Sequence, residues 1–154
     1  MRLIAVGDRQ PAWVDRAFAD YAGRLPRAWK FDCATLATSR RRKHGDISGA
    51  LAEEGERILG RIRAAERTVV LDERGIEMTS IGLAAAVRDW QADGRDVCLV
   101  IGGPDGVADA CLKRADLRWS LSQLTLPHGL ARVLCAEQLY RACTLNDGHP
   151  YHRA

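Results

Sequence analysis

The sequence predicts an α/β protein whose mostly parallel sheet is flanked by helices, and two observations support this. Short, continuous apolar runs recur along the chain, as expected of strands that are buried on both faces. Between these runs the apolar residues recur at helical spacing, so strands alternate with helices. The 154 residues contain no internal repeat, low-complexity segment or linker, which predicts one domain spanning residues 1–154.

The first part of the chain predicts a strand, a helix and a second strand. Residues 2–6 (RLIAV) form a short apolar run bounded by a glycine, which indicates a buried strand. A helix is predicted over residues 11–25, because Pro11 suits a first helical turn and apolar residues, including Trp13, then recur at helical spacing. Residues 30–37 (KFDCATLA) form a weaker strand.

A second helix is predicted after a basic segment, with Asp46 or Ser48 as its N-cap. One face of this helix is apolar and predicted to pack on the core, and its charged residues are predicted to face solvent. The apolar stripe comprises Ile47, Leu51, Ile58, Leu59 and Ile62, and the predicted outward residues are Glu53, Glu54, Glu56 and Arg57.

The rest of the chain continues the alternation. A strand is predicted at residues 68–72, and Thr79 or Ser80 caps the helix that follows it. That helix carries Leu83, Val87 and Trp90. The remaining predicted elements are a strand at 96–103, a short helix at 107–115, a strand at 117–121 and a long helix at 127–145.

The apolar runs are too short for export or for membrane insertion. Only five consecutive apolar or small residues precede Asp8, and every run falls far short of the roughly 18 residues that a membrane span requires. The five cysteines show no CxxC spacing, so we expect reduced, mostly buried thiols and no metal site. The sequence therefore predicts a cytoplasmic protein without membrane association.

The net charge of +3 permits a nucleic-acid partner but does not require one. Part of that charge is concentrated in one run, from Arg40 to Lys43. The run is either a solvated loop or an arm that contacts RNA phosphates. Arg24 is a further candidate for phosphate contact.

Three segments follow predicted strands, where open α/β sheets bind their ligands. They are LDERG (71–75), IGGPDG (101–106) and SLSQLTLPH (120–128). The glycines of IGGPDG allow close backbone approach to a ligand or simply form a turn, and the segment matches neither the dinucleotide nor the P-loop pattern. SLSQLTLPH either presents backbone groups to the edge of a heterocycle or is only a strand followed by a helix entry at Pro127.

These three motifs and the terminal HPYHR resemble, over essentially the whole chain, the ribosomal RNA large subunit methyltransferase H family of the SPOUT class. The resemblance implies an α/β fold with a deep C-terminal trefoil knot, a rare exception to the rule against knots. It also implies a homodimer that uses S-adenosylmethionine to methylate N3 of a pseudouridine in the 23S rRNA of the 70S ribosome.

The same resemblance assigns the cofactor pocket. Three positions depart from the family pattern: Glu77 replaces a frequent basic residue, Gly129 replaces a proline or another larger residue, and Ala154 replaces Glu. None of them removes a motif. The implied cofactor-binding residues are Leu71, Asp72, Gly102, Gly103, Ser122, Gln123, Leu124, Thr125, Leu126 and Pro127.

Methyl transfer to N3 of a pseudouridine requires loss of the imide proton and stabilisation of the resulting charge. We hypothesise that Tyr151, His152 and Arg153 fold over the methyl-donor pocket, across the dimer interface. His152, or a water that it holds, would take the proton, and Arg153 would stabilise a base oxygen or a phosphate. His149 would shape the tail, although two surface histidines at a helix end remain the alternative interpretation.

Other residues near the end of the chain have less defined predicted roles. His128 is either a site residue or part of a helix entry. Glu137, Tyr140 and Arg141 are spaced to form a network at the dimer interface or in the knot, and Arg132 is predicted nearer the RNA.

Three other functions remain open at this stage. A related knotted methyltransferase acting on another RNA, such as tRNA, would carry the same cofactor segments. A non-catalytic ribosome-binding factor would keep the fold without binding the cofactor. A flavodoxin-like small-molecule binder is disfavoured because the phosphate loop is missing.

Overall fold

The computed structural model describes residues 1–40, 47–149 and Tyr151, which form a sheet surrounded by helices. The strands are β1 (Arg2–Val6), β2 (Cys33–Leu36), β3 (Arg67–Glu77), β4 (Val97–Ile101) and β5 (Leu117–Ser120). The α-helices are α1 (Ala12–Arg24), α2 (Ile47–Leu59), α3 (Ser80–Asp93), α4 (Asp109–Arg114) and α5 (His128–Asn146), and a 3-10 turn covers Arg27–Trp29.

The sheet has the order β2-β1-β4-β3-β5, and every neighbouring pair is parallel. Parallel neighbours need crossover connections, which the alternating helices supply. All five residues of the central strand β4 are buried. The predicted α/β class with a mostly parallel sheet is confirmed.

The sheet carries one core layer on each face. Successive strand residues point to opposite faces, so Leu99 packs into a layer with α1, α3 and α5, and Val100 into a layer with α2 and α4. Val69 and Val70 of β3 divide in the same way. Each fully buried side chain of this kind contributes roughly 1.5–3 kcal/mol, so the two layers fix the strand ends relative to one another.

Strand β3 is longer than predicted. The prediction ended it at residue 72 and treated 71–75 as a loop, whereas β3 continues to Glu77 beside β5. The pairing is irregular, because both Leu71 and Ile76 lie opposite Trp119. The extra residues form a bulge that the alternation of apolar and polar residues did not reveal.

Two predicted helical faces need correction. Glu54 was predicted to face solvent, but it is buried, on the same face of α2 as Ile58. Ser48 lies within α2 rather than capping it, and Asp46 lies outside the described residues. Trp13 was placed among the apolar residues that recur at helical spacing in α1, but it is 49% exposed, whereas Val14 is buried.

The N-cap of α3 is confirmed. The Thr79 hydroxyl accepts a hydrogen bond from the backbone N–H of Gly82 at 3.1 Å. This bond satisfies one of the donors left open at a helix start.

The five cysteines are free thiols, as predicted, and Cys33 alone of them is not fully buried. Burial raises the pKa of Cys98 and Cys111 to about 11 and that of Cys143 to about 12. These side chains therefore stay protonated near neutral pH. Within the described residues, no cluster of three or more His, Cys, Asp or Glu could hold a metal, and no helix has the length and apolarity to span a membrane.

Candidate active site at the carboxyl edge of the sheet

The three segments singled out in the sequence meet at one edge of the sheet. Leu71 of β3 lies opposite both Ile101 of β4 and Trp119 of β5, so these residues form one row across three adjacent strands. The segments that follow the row are Asp72, Gly102–Gly103 and 120–127. The structure therefore brings all the predicted cofactor-binding residues to the carboxyl ends of neighbouring strands, where such sheets bind ligands.

The segment after β4 is a tight glycine turn. Gly103 and Gly106 exchange two backbone hydrogen bonds of 3.0 Å each. Gly106 has φ of +95°, and a Cβ on Gly102 would overlap the Gly106 carbonyl and lie 2.6 Å from Val107 Cγ2. The turn itself thus requires these glycines.

The buried carboxylate of Glu54 lies beside this turn, although Glu54 was predicted to face solvent. Glu54 is 1% exposed, and its Oε1 accepts the backbone N–H of Ser39 at 2.8 Å. A Cβ on Gly103 would overlap Glu54 Oε2, so the carboxylate fills the space beside the turn. The available signal was spacing, since Glu54 lies four residues before Ile58 and four after Ala50 on one helical face.

In segment 120–127 several side chains make hydrogen bonds, whereas some backbone N–H groups make none. Gln123 Nε2 donates to Glu77 at 3.2 Å, and the Leu124 N–H donates to the Ser122 hydroxyl at 3.0 Å. The N–H groups of Gln123, Thr125 and Leu126 bond to no other described residue. Open backbone donors at a sheet edge fit a heterocycle bound mainly through backbone groups.

A cavity of about 450 Å³ adjoins the glycine turn. Its walls are the loop 7–10 after β1, Ala37 and Thr38 after β2, Pro104 of the turn, and His128 at the start of α5. None of the predicted cofactor-binding residues lines it, although Pro104 directly follows Gly103. Sequence reasoning did not identify this cavity, because its walls come from four distant parts of the chain.

Two lining groups of this cavity, the Gly7 carbonyl and His128, are bonded to the buried Arg132. Arg132 is 2% exposed, donates to the Gly7 carbonyl, and places its Nη2 at 3.2 Å from His128 Nε2. Burial, reinforced by the Arg132 charge and opposed by a hydrogen bond to the Val6 backbone, lowers the pKa of His128 to about 4. Burial also lowers the pKa of Arg132 from its ordinary value.

These contacts assign His128 and correct Arg132. A guanidinium N–H can only donate, so Nε2 of His128 accepts and the imidazole proton lies on Nδ1. The ring is neutral near pH 7 and both of its nitrogens are engaged, so His128 is a structural residue rather than a base. Arg132 was predicted nearer the RNA, but it is buried and fixes the loop after β1 to α5.

Tyr151 packs against α5. The Tyr151 hydroxyl lies 3.2 Å from Glu137 Oε1, which also accepts from Arg141 Nη2 at 2.6 Å. The Tyr151 ring packs against Tyr140 at 4.8 Å between centroids and lies 5.1 Å from the Arg141 guanidinium carbon. Burial is the main cause that raises the pKa of Tyr151 to about 12, and its hydrogen bonds to Tyr21 and Glu137 add to the rise.

Other predicted residues are only partly described. His152 and Arg153 lie outside the described residues, as do positions 41–43 of the basic run. His149 Nδ1 accepts the backbone N–H of Tyr151 at 3.2 Å, which agrees with its predicted role in shaping the tail. Arg24 is paired with Asp20 at 2.7 Å.

The comparisons with known proteins agree with this geometry. The family described as "Predicted SPOUT methyltransferase" matches residues 1–152. The fold is similar to the crystal structure of the SpoU methyltransferase AviRb from Streptomyces viridochromogenes in complex with the cofactor AdoMet. That likeness has a TM-score of 0.50 at 12% identity, over 97% of this chain and 58% of that chain, and supports the fold alone. The parallel sheet and the family match together define this chain as a methyltransferase of the SPOUT class.

Relatives with higher sequence identity identify the family within this class. Proteins named "Ribosomal RNA large subunit methyltransferase H" from Thioalkalivibrio sulfidiphilus and Chromohalobacter salexigens are each 47% identical over 99% of this chain, covering 98% and 99% of their own lengths. The protein of that name from Methylococcus capsulatus is 44% identical over 99% of this chain and 99% of its own length. The chain belongs to the ribosomal RNA large subunit methyltransferase H family.

Proposed function

We propose that this chain transfers a methyl group from S-adenosylmethionine to N3 of pseudouridine 1915 of 23S rRNA in the assembled 70S ribosome. The observation that carries the proposal is the meeting of the three cofactor segments at one sheet edge, in a chain that matches a member of the family over 99% of its length. The chain acts as one domain, in the cytoplasm where its substrate is assembled. The C-terminal trefoil knot stays a prediction from the resemblance.

The cofactor supplies an electrophilic methyl group when it is bound. The protein then has to position the target nitrogen against the methyl group, since an in-line displacement needs no covalent nucleophile. Leu71, Asp72 and the glycine turn would form two walls of the pocket. The open backbone N–H groups of segment 122–127 would bind the heterocycle, and their donor character fits its acceptor nitrogens.

The proton on N3 needs an acceptor, and His128 does not provide one. Its ring is neutral with both nitrogens engaged, so it has no free lone pair for the task. This leaves the acceptor role with His152, or with a water that it holds. Arg153 would stabilise the charge that develops on a base oxygen, or would hold a phosphate.

The position of Tyr151 favours a homodimer in which one subunit completes the pocket of the other. Tyr151 contacts Glu137, ten residues beyond Pro127 along α5, a distance of about 15 Å at the helical rise. Tyr151 therefore lies far from the cofactor segments of its own chain. The exposed Trp13 at the start of α1 would help to bury a dimer interface, because aromatic residues are enriched there.

The basic groups would bind the ribosome. We propose that the run from Arg40 to Lys43 and Arg24 contact rRNA phosphates, and that recognition of the ribosomal surface provides the specificity. Neutralising the run should weaken ribosome binding and reduce its dependence on salt while leaving cofactor affinity unchanged.

The decisive experiment offers labelled S-adenosylmethionine to purified 70S ribosomes, free 50S subunits and bulk tRNA, and identifies the modified nucleoside by mass spectrometry. N3-methylpseudouridine in 70S ribosomes is the expected result. Label in tRNA alone would overturn the ribosomal substrate and leave a tRNA methyltransferase. No label anywhere, with no cofactor binding by calorimetry, would indicate a non-catalytic ribosome-binding factor.

A further inference from the structure

The cavity beside the glycine turn has some lining groups that are hydrogen-bonded and others that are not. The Gly7 carbonyl and His128, which line it, are both bonded to Arg132. Its wall residues Gln10 and Thr38 make no side-chain hydrogen bond to any other described residue. A volume of about 450 Å³ lies within the range of small-molecule sites, which is roughly 300–1,000 Å³. The cavity therefore has both the space and the free polar groups to hold a ligand.

Gln10 is kept in this position by two glycines. Its Nε2 lies 3.4 Å from the place where a Cβ of Gly7 would stand, and its Oε1 lies 2.7 Å from that of Gly129. Gly7 also has φ of +111°, which disfavours any larger residue. A side chain at position 129 would displace the Gln10 amide, so the departure of Gly129 from the family pattern has a local reason.

We propose that this cavity receives the target pseudouridine and that the Gln10 amide binds the N1–H and O2 edge of the base. The inference rests on the proposed function. Pro104 belongs both to the cavity and to the glycine turn, so a base in the cavity lies beside the cofactor pocket. The side-chain oxygen of Gln10 accepts from N1–H and its nitrogen donates to O2.

The N1–H and O2 edge distinguishes pseudouridine from uridine. Pseudouridine is joined to its ribose through carbon, so N1 keeps a proton, whereas the N1 of uridine carries the ribose. Binding at N1–H and O2 leaves N3 and O4 free for the reaction and for the tail. A site that hydrogen-bonds an N–H group rejects an analogue that lacks it, because its own polar group is then unpaired. Gln10 is thus a specificity-determining residue for pseudouridine over uridine.

Arg9 extends the same site toward the RNA backbone. It is an exposed wall residue whose side chain bonds to no other described residue, and a guanidinium suits a phosphate oxygen. A phosphate contact carries no information about the base. Arg9 and Gln10 therefore have separable effects on affinity and on base discrimination.

The test compares ribosomes that carry pseudouridine at the target with ribosomes that carry uridine there, prepared from cells lacking the relevant pseudouridine synthase. Gln10→Met keeps the length of the side chain and removes the amide. We expect this variant to lower kcat/KM on pseudouridine by about tenfold to a hundredfold, the range for loss of a bidentate base contact, and to change kcat/KM on uridine less than twofold. Arg9→Ala should lower both values equally, and Gln91→Ala, an exposed site on α3, should lower neither.

Thermal unfolding and the cofactor dissociation constant of each variant should match those of the wild type. An unchanged pseudouridine-to-uridine ratio in Gln10→Met, with the fold and the cofactor affinity intact, would overturn the inference. If the variant unfolds early, Thr38→Val provides the second test, because it removes a hydroxyl from the same cavity and should lower kcat/KM without changing cofactor affinity. If the wild type methylates neither ribosome, the proposed function fails, which is a different outcome from an unchanged ratio.

Discussion

Replacing Gly102 by alanine should disrupt the glycine turn on which the cofactor site depends. The new Cβ would overlap the Gly106 carbonyl oxygen and lie 2.6 Å from Val107 Cγ2. The oxygen belongs to the backbone and cannot rotate away as the end of a side chain can. The turn must therefore open, and the two hydrogen bonds of 3.0 Å between Gly103 and Gly106 are weakened or lost.

These contacts determine how much the free energy of unfolding should fall in Gly102→Ala. Overpacking a tight site costs about 1–3 kcal/mol, and two backbone hydrogen bonds contribute roughly 1 kcal/mol each. Because the turn can relax partly, we expect a total near 3 kcal/mol. For a domain of this size each kcal/mol shifts Tm by about 2–4 °C, so Tm should fall by about 6–12 °C. If the cofactor binds as proposed, its dissociation constant should rise at least about tenfold, which corresponds to roughly 1.4 kcal/mol.

Calorimetry can measure both quantities on the same protein preparation. Gly23→Ala is the matched control, since it lies on an exposed part of α1 with no heavy atom within 4 Å of the new Cβ. Alanine favours helix over glycine by about 1 kcal/mol, so this control should be slightly more stable and should bind cofactor as the wild type does. A Gly102→Ala protein with wild-type Tm and wild-type cofactor affinity would refute the argument.

Three further predictions concern charged and titratable groups. Glu66→Gln should destabilise the fold by about 2 kcal/mol at pH 7, because it removes the charge of the buried Glu66 carboxylate that pairs with the partly exposed Arg2 at 2.7 Å. Denaturant titration against the exposed control Glu53→Gln should show this loss. Its hydrogen bond from Arg2 lowers the pKa of Glu66, so this stabilisation is present above the unfolded value near 4.3 and disappears as pH falls through the folded pKa; a difference independent of pH would contradict the reasoning. His128 should remain a neutral Nδ1–H tautomer by NMR down to about pH 4. Because its pKa is lowered on folding, its contribution to the free energy of unfolding is lost as pH falls from about 6.5. Protonation near pH 6.5 in the folded protein would be inconsistent with its burial. Tyr151→Phe removes the hydrogen bond to Glu137 and should reduce kcat by about three- to tenfold while cofactor affinity stays constant. An equal loss of kcat and of cofactor affinity would place the tyrosine in the cofactor site instead.

The sequence by itself determined the alternation of elements and the location of the three ligand segments. The apolar run 96–103 could be identified as a buried strand, and Thr79 or Ser80 as a cap, because both signals are local. The glycines that follow this strand also indicated, from the local sequence, a site where the backbone could turn sharply. These features depend on residues close in the chain, so patterns of hydrophobicity and turn chemistry are enough to predict them.

Tertiary structure alone decided which polar groups are satisfied and which remain free. Glu54 reads as a surface residue, yet it is buried because it has both a backbone donor at Ser39 and space beside Gly103. His128 could be a site residue or part of a helix entry from the sequence, yet burial and its contacts with Arg132 and the Val6 backbone make it a neutral structural residue. A group's protonation and availability depend on the partners that folding brings to it from distant parts of the chain, and no local pattern specifies those partners.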